Sequence, residues 1–144
     1  MASPRVSEHR YRRRVQFVEV DSARIVHFSH FFRYMEEAEH ALWRAAGLSI
    51  ATRGDGFGYP RVAASFEYHA PLQLEDEFDV RLRIVKITRA SMAYSCAISR
   101  GGDRIATGTL TIVCVTRGED GRMRSAPFPD DVRNRFAVAA EAGA

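Results

Sequence analysis

One segment of this chain carries a helical period, and its position limits what the rest can become. From Phe31 to Ala45 the apolar residues fall at Phe31, Met35, Ala38, Leu42 and Ala45. These steps of three and four lay one continuous stripe along a helix. Ser29 stands where an N-cap would, and Gly47 where a helix ends in a left-handed residue. Glu36, Glu37 and Glu39 precede Arg44, the order the helix dipole favours. Ahead of this helix, Tyr11–Val20 (YRRRVQFVEV) reads as a strand. After the glycine-rich loop Arg53–Gly58 the period changes to two through Val62–Tyr68, Phe78–Ile87, Met92–Ser99 and Ile105–Thr116. Turn chemistry separates these stretches, and Gly101-Gly102-Asp103 marks a hairpin. A short helix over Asp131–Ala140, behind Pro127 and Pro129, is expected to pack loosely. Strands do not alternate with helices, so a doubly wound parallel sheet is excluded in favour of α+β, one antiparallel sheet around one helix. Such a sheet has an uncovered face and open edges, which calls for a dimer or a larger assembly.

The 144 residues suit a single domain, 1–144, with 1–10 and 130–144 as peripheral tails. No apolar run reaches the length of a membrane span, and Met1–Arg14 lacks the apolar centre of a secretory signal. A cytoplasmic protein with no membrane span is expected. Cys96 and Cys114 sit in strand-like apolar stretches, without Cys or His at ligand spacing, and read as small buried hydrophobes with no disulfide. The net charge of +3 comes from 20 arginines and one lysine, Lys86, against 18 acids. The basic residues are dispersed and no nucleic-acid-binding module is present, so no nucleic-acid partner is expected. A small phosphate-bearing ligand needs only two or three placed cations and fits better.

Asp21 directly follows the apolar end of the first strand and precedes the helix by fewer than ten residues. A carboxylate there either caps a turn or stands partly desolvated as a base. The segment Ile25–Phe32 (IVHFSHFF) carries aromatic residues into a helix start whose N–H groups lack partners. It reads as an apolar staple, as an oxyanion site for a carbonyl, or as both. His27 is a packed histidine or a substrate contact. With His30 it makes an H-x-x-H spacing that is poor for a metal, and no metal is expected. Glu36 or Glu37 is either a solvated pair or a second carboxylate beside Asp21. Arg89-Ala90-Ser91 forms a turn offering amides, a hydroxyl and a cation, which suits phosphate. There is no G-x-S-x-G elbow, phosphate-binding glycine loop or C-x-x-C, so serine hydrolase, nucleotide-triphosphatase and dithiol redox chemistry have no support.

Taken together, Val20–Gly47 (VDSARIVHFSHFFRYMEEAEHALWRAAG) resembles the signature of the 4-hydroxybenzoyl-CoA thioesterase family. Val62–Phe78, Ile87–Ser91 and Gly108–Val115 are similar to the strands that follow in that family. The resemblance covers roughly Arg12–Pro129. It implies a hot-dog fold with active sites at a dimer interface, in a homodimer or homotetramer. It implies Asp21 as the catalytic carboxylate, acting as base or nucleophile, and the Phe28 backbone N–H as oxyanion donor. The helix glutamate of the motif falls at Glu36, and the turn that meets coenzyme A falls near Arg89 and Ser91. No cofactor is implied beyond the coenzyme A of the substrate. The motif usually has glycine where this chain has Arg24, and Tyr or Trp where it has His27, which places both beside the acyl pocket. A non-catalytic acyl-thioester binder is the rival encouraged by those two departures. An enoyl-thioester hydratase of the same fold is a second rival; it would pair His69 with Glu36, although its histidine-phenylalanine-proline-glycine turn is missing.

Overall fold

Alternation of charged and inward-facing residues starts the sheet. The computed structural model describes residues 4–51, 54 and 56–140. Strand β1 (Glu8–Arg14) turns His9, Tyr11 and Arg13 toward the interior and its even-numbered residues outward. Helix α1 (His30–Ala45) follows, then β2 (Phe57–Gly58), β3 (Arg61–Tyr68), β4 (Glu77–Ile87), β5 (Ser91–Arg100) and β6 (Asp103–Val113). The chain continues through β7 (Val115–Arg117), β8 (Met123–Ser125) and the one-turn α2 (Asp130–Arg133). Five strands form one antiparallel sheet in the order β1-β4-β5-β6-β3, and β2, β7 and β8 form a small second sheet.

Period two in β4, β5 and β6 produces the apolar face on which α1 lies. Phe78, Val80, Leu82 and Ile84 alternate with exposed or half-buried residues in β4, as do Met92, Tyr94, Cys96 and Ile98 in β5. The helix returns Phe31, Tyr34, Met35, Ala38 and Leu42, each at most 3% exposed. A fully buried side chain of this size is worth roughly 1.5–3 kcal/mol. Trp43 Nε1–H donates to the Tyr94 hydroxyl at 3.0 Å, so two large polar-tipped rings of the core satisfy each other. The helix ends as expected at Gly47, with φ +78°. Gly47 N–H and Leu48 N–H return to the carbonyls of Arg44 and Trp43, closing a Schellman cap.

The structure corrects several boundaries. The first strand stops at Arg14; Phe17–Glu19 is a one-turn 3₁₀ helix, because Glu19 bonds back to the Gln16 N–H and bends the chain. Ser29 is already helical and makes no side-chain cap, its hydroxyl being taken by His27 Nδ1. Ala45 is exposed and Ala46, one turn past Leu42, is buried. The last predicted strand breaks at Cys114, whose N–H bonds to the Ala90 carbonyl, and its continuation β7 joins the small sheet. Of the glycine-rich stretch, Phe57 and Gly58 are strand, while Arg53 and Asp55 lie outside the described residues. The tail does not pack loosely. Its helix is only Asp130–Arg133, yet Val132 and Phe136 are each 1% exposed and Ala139 N–H reaches the Ile84 carbonyl.

The sheet has two distinct ends. Tyr68 pairs with Ala106, and Arg100 with Asp103, at the end where α1 begins. Arg61 pairs with Ile112, and Ser91 with Val113, at the other. Among the described residues no strand pairs with the outer side of β3.

Candidate active site

The loop between β1 and α1 builds the site, and its backbone bonds fix where each group lies. Val20 and Val26 form an isolated antiparallel bridge, and Asp21 N–H donates to the Ile25 carbonyl at 2.9 Å. Residues 21–24 therefore make a tight turn. Asp21 Oδ1 accepts the Ala23 N–H at 2.8 Å, and Arg24 closes the turn with φ +64°. A left-handed residue is required there, which explains the glycine of the related motif. Val26 N–H then reaches the Leu72 carbonyl and His27 N–H the Glu19 carbonyl, tying the loop to the β3–β4 connection and to its own start.

The His27 carbonyl accepts the His30 N–H at 3.0 Å. In a trans peptide the C=O and the following N–H point in opposite directions, so Phe28 N–H is aimed away from the helix. It has no hydrogen-bond partner among the described residues. The Phe28 carbonyl is held by Phe31 N–H and by the Tyr68 hydroxyl at 3.0 Å. Asp21, His27, Phe28, Phe31 and Tyr68 line one cavity of about 330 Å³. Its aromatic wall is continuous: Phe31 and Tyr68 lie 5.0 Å apart edge to face, and Phe28 and Tyr68 6.4 Å.

Of the residues expected from sequence, Asp21, His27 and the Phe28 amide are thus brought together. Arg24 shares the turn, but its side chain is exposed and does not line the cavity. Glu36 points elsewhere: its side chain is 53% exposed and faces Arg61 Nε at 3.6 Å. His69 follows Tyr68 on an extended chain, so its side chain takes the opposite face, where Nε2 meets Thr107 Oγ1 at 3.0 Å. The His69–Glu36 pair needed for a hydratase is therefore not formed. Arg89 and Ser91 sit at the far end of the sheet, Ser91 Oγ bonding Thr88 Oγ1, and within one chain they do not reach the cavity.

Two groups escaped the sequence reading. Tyr68 contributes both a ring and the hydroxyl that pins Phe28; its place in the β3 alternation, next to Phe66, was the available signal. Glu19, 4% exposed, accepts from Arg13 Nη1 at 2.9 Å and Nη2 at 2.6 Å, from Gln16 N–H and from the Tyr34 hydroxyl at 2.9 Å. Burial works to raise its pKa, but Arg13, the Gln16 amide and Tyr34 outweigh it and hold the carboxyl below its ordinary value.

A sheet wrapped on one helix, with a carboxylate and an open amide at the helix start, defines a class of hot-dog thioester hydrolases. Residues 15–136 match the profile of the Thioesterase-like superfamily, and the chain belongs to that family. A putative esterase of Aquifex aeolicus (strain VF5) is 34% identical over 110 residues, 76% of this chain and 86% of that protein. Among solved structures, a 1,4-dihydroxy-2-naphthoyl-CoA thioesterase from Synechocystis matches with a TM-score of 0.83 at 24% identity, covering 90% of this chain and 95% of that one. A gentisyl-coenzyme A thioesterase matches at 0.78 and 28% identity, over 90% and 100% of the two chains. The hot-dog fold and the resemblance to CoA thioesterases are both borne out. No described helix is long and apolar enough to cross a membrane.

Proposed function

We propose that this protein hydrolyses the thioester bond of an aromatic acyl-CoA, with Asp21 as base or nucleophile and the Phe28 amide as oxyanion donor. The observation that carries the reading is that Asp21 and Phe28, whose N–H has no partner among the described residues, line one aromatic cavity. An acyl ring would lie among His27, Phe28, Phe31 and Tyr68, where ring pairs add about 0.5–1.5 kcal/mol each beyond burial. Its carbonyl oxygen would accept the Phe28 N–H. Asp21 then takes a proton from water, which attacks the carbonyl carbon. The tetrahedral intermediate collapses to free acid as the C–S bond breaks and the thiolate of coenzyme A leaves. In the covalent variant Asp21 attacks directly, expels the thiolate and forms a mixed anhydride that water cleaves. A thiol with pKa near 8.5 leaves without a strong acid, which suits so sparse a site. An oxyanion donor is worth on the order of 10²–10³ in kcat, about 3 kcal/mol.

The working unit is a homodimer or homotetramer. The open side of β3 carries exposed Val62, and exposed Phe28 and Tyr68 lie at the same edge of the chain. A second chain covering them would close the cavity. If two β3 strands pair antiparallel about a two-fold axis, the Arg61 end of one chain adjoins the Tyr68 end of the other. Ser91 lies two strand spacings from Arg61, about 10 Å, so Arg89 and Ser91 of a second chain become candidates for the phosphates of coenzyme A. The buried cysteines Cys96 and Cys114 suit a reducing cytoplasm.

The test is a panel of aryl, short-chain and dicarboxylic CoA thioesters read with a thiol reagent. Thiol release should favour the aryl esters and fall on the order of 10² or more in Asp21→Asn. Full activity of Asp21→Asn on every ester the parent cleaves would sink the assignment. Loss of enoyl absorbance without thiol release would favour a hydratase, and binding without turnover a non-catalytic protein.

A further inference from the structure

The loop that carries both reacting groups is held by a buried charge that touches neither. The geometry points to Glu19, clamped by Arg13 and Tyr34, as a positioning residue that sets the distance between the Asp21 carboxylate and the Phe28 amide; this rests on the thioesterase reading above. Glu19 is joined to three elements at once. Its carboxylate takes both terminal nitrogens of Arg13 on β1, the Gln16 N–H that starts the 3₁₀ turn, and the Tyr34 hydroxyl from the second turn of α1. Its backbone carbonyl takes the His27 N–H at 3.0 Å.

The consequence is geometric. Asp21 lies two residues beyond Glu19, and Phe28 lies one residue beyond His27. The Glu19–His27 bond is therefore the last rung between the two arms of the loop, and its side chain fixes that rung against the helix on which the His27 carbonyl is also seated. Arg13 is itself rigid, because Nε and Nη2 also hold Glu37 of α1 at 2.9 and 3.2 Å and the guanidinium lies 5.0 Å from the Tyr34 ring centre. The four donors to Glu19 come from groups that do not line the cavity, and Glu19 meets the site through the loop, while the Tyr34 ring also packs edge to face on the cavity residue Phe31 at 5.8 Å. Misplacing reacting groups by about 1 Å costs on the order of 10²-fold.

The experiment measures kcat, KM and melting temperature of Glu19→Gln and Tyr34→Phe on the aryl-CoA ester the parent cleaves fastest. Glu19→Gln should lower kcat by on the order of 10- to 100-fold with KM within about twofold. Tyr34→Phe keeps the ion pair and should lower kcat by roughly 3- to 10-fold, again at unchanged KM. If Glu19→Gln does not fold, Tyr34→Phe decides alone. Parental kcat in the folded variants, or a change confined to melting temperature or to KM, overturns the inference. Asp21→Asn run in parallel separates the two claims. Inactive Asp21→Asn beside fully active Glu19→Gln and Tyr34→Phe removes only the positioning role. Active Asp21→Asn, or a parent that cleaves none of the esters, removes the thioesterase reading and this inference with it.

Discussion

Glu39 makes stability depend on pH in a direction opposite to that of most carboxylates. Its side chain is fully buried beside the Tyr94 hydroxyl, and one oxygen pairs with Arg61. Burial pushes the carboxyl up to about 7 against the opposing charge of Arg61, from an ordinary value of 4.5. Between those two values the folded chain binds more protons than the unfolded chain, so this group's contribution is present below 4.5 and is lost as pH rises through 7. At about 1.4 kcal/mol per pH unit the gap is worth roughly 3 kcal/mol. Glu39→Gln removes the titration but leaves Arg61 with Glu36 alone, so its absolute stability can lie on either side of the parent. The quantity to measure is the melting temperature of the variant minus that of the parent, at half-unit steps from pH 5 to 8. It should climb by roughly 6–12 °C, taking about 2–4 °C per kcal/mol. A difference that stays flat across this range refutes the reasoning, since no other group is changed.

Gly108→Ala tests the seam between β3 and β6: an added Cβ would stand 2.5 Å from the Ser65 carbonyl oxygen and 2.8 Å from the Phe66 ring. The backbone oxygen cannot yield cheaply, so a loss of about 2 kcal/mol is expected by thermal melting, with a higher KM for aryl esters because Phe66 packs on Phe31 and Tyr68. Arg24→Gly should raise the melting temperature by about 2 °C, the left-handed strain of roughly 1–2 kcal/mol being partly offset by chain entropy; a fall would show that the arginine makes a stabilising contact. Phe136→Ala should cost about 3–5 kcal/mol in denaturant titration, since this tail residue is 1% exposed and its ring lies 5.0 Å from Trp43.

Features that depend on near neighbours were legible in the sequence. The stripe Phe31, Met35, Ala38, Leu42 set the helix, and alternation through β4 and β5 set the buried sheet face, because burial on one side imposes the period directly. Asp21 and Phe28 were legible as a candidate site because they are only seven residues apart. What stayed hidden depends on distant partners. Glu19 sits between Val18 and Val20 and looks like a solvated strand residue; Val18 is the one exposed, at 79%, and Glu19 is buried because Arg13 and Tyr34 satisfy it. Phe136 belongs to a polar-looking tail, and distant partners give it a place: the Trp43 ring, 93 residues earlier in the chain, and a β-bridge to Val6. Glu36 and Glu39 could not be told apart by charge. Their phase on the helix puts one beside solvent and the other in the core.

Glu19 and Asp21 stand two residues apart in the same short string, and counting their donors separates a fully bonded acid from one with an oxygen to spare. Glu19 accepts four hydrogen bonds, two of them from a guanidinium, so its lone pairs are committed and its proton affinity is depressed. A base must have a free lone pair facing substrate, which excludes Glu19. Asp21 accepts one N–H at Oδ1, and Oδ2 has no partner among the described residues. The same carboxylate lines the aromatic cavity. The amide of Ala23 fixes the plane of the carboxyl while leaving one oxygen available, which a base or a nucleophile requires. On the proposed mechanism an Asp21 bonded by four donors, as Glu19 is, would be inert however close it stood to a thioester.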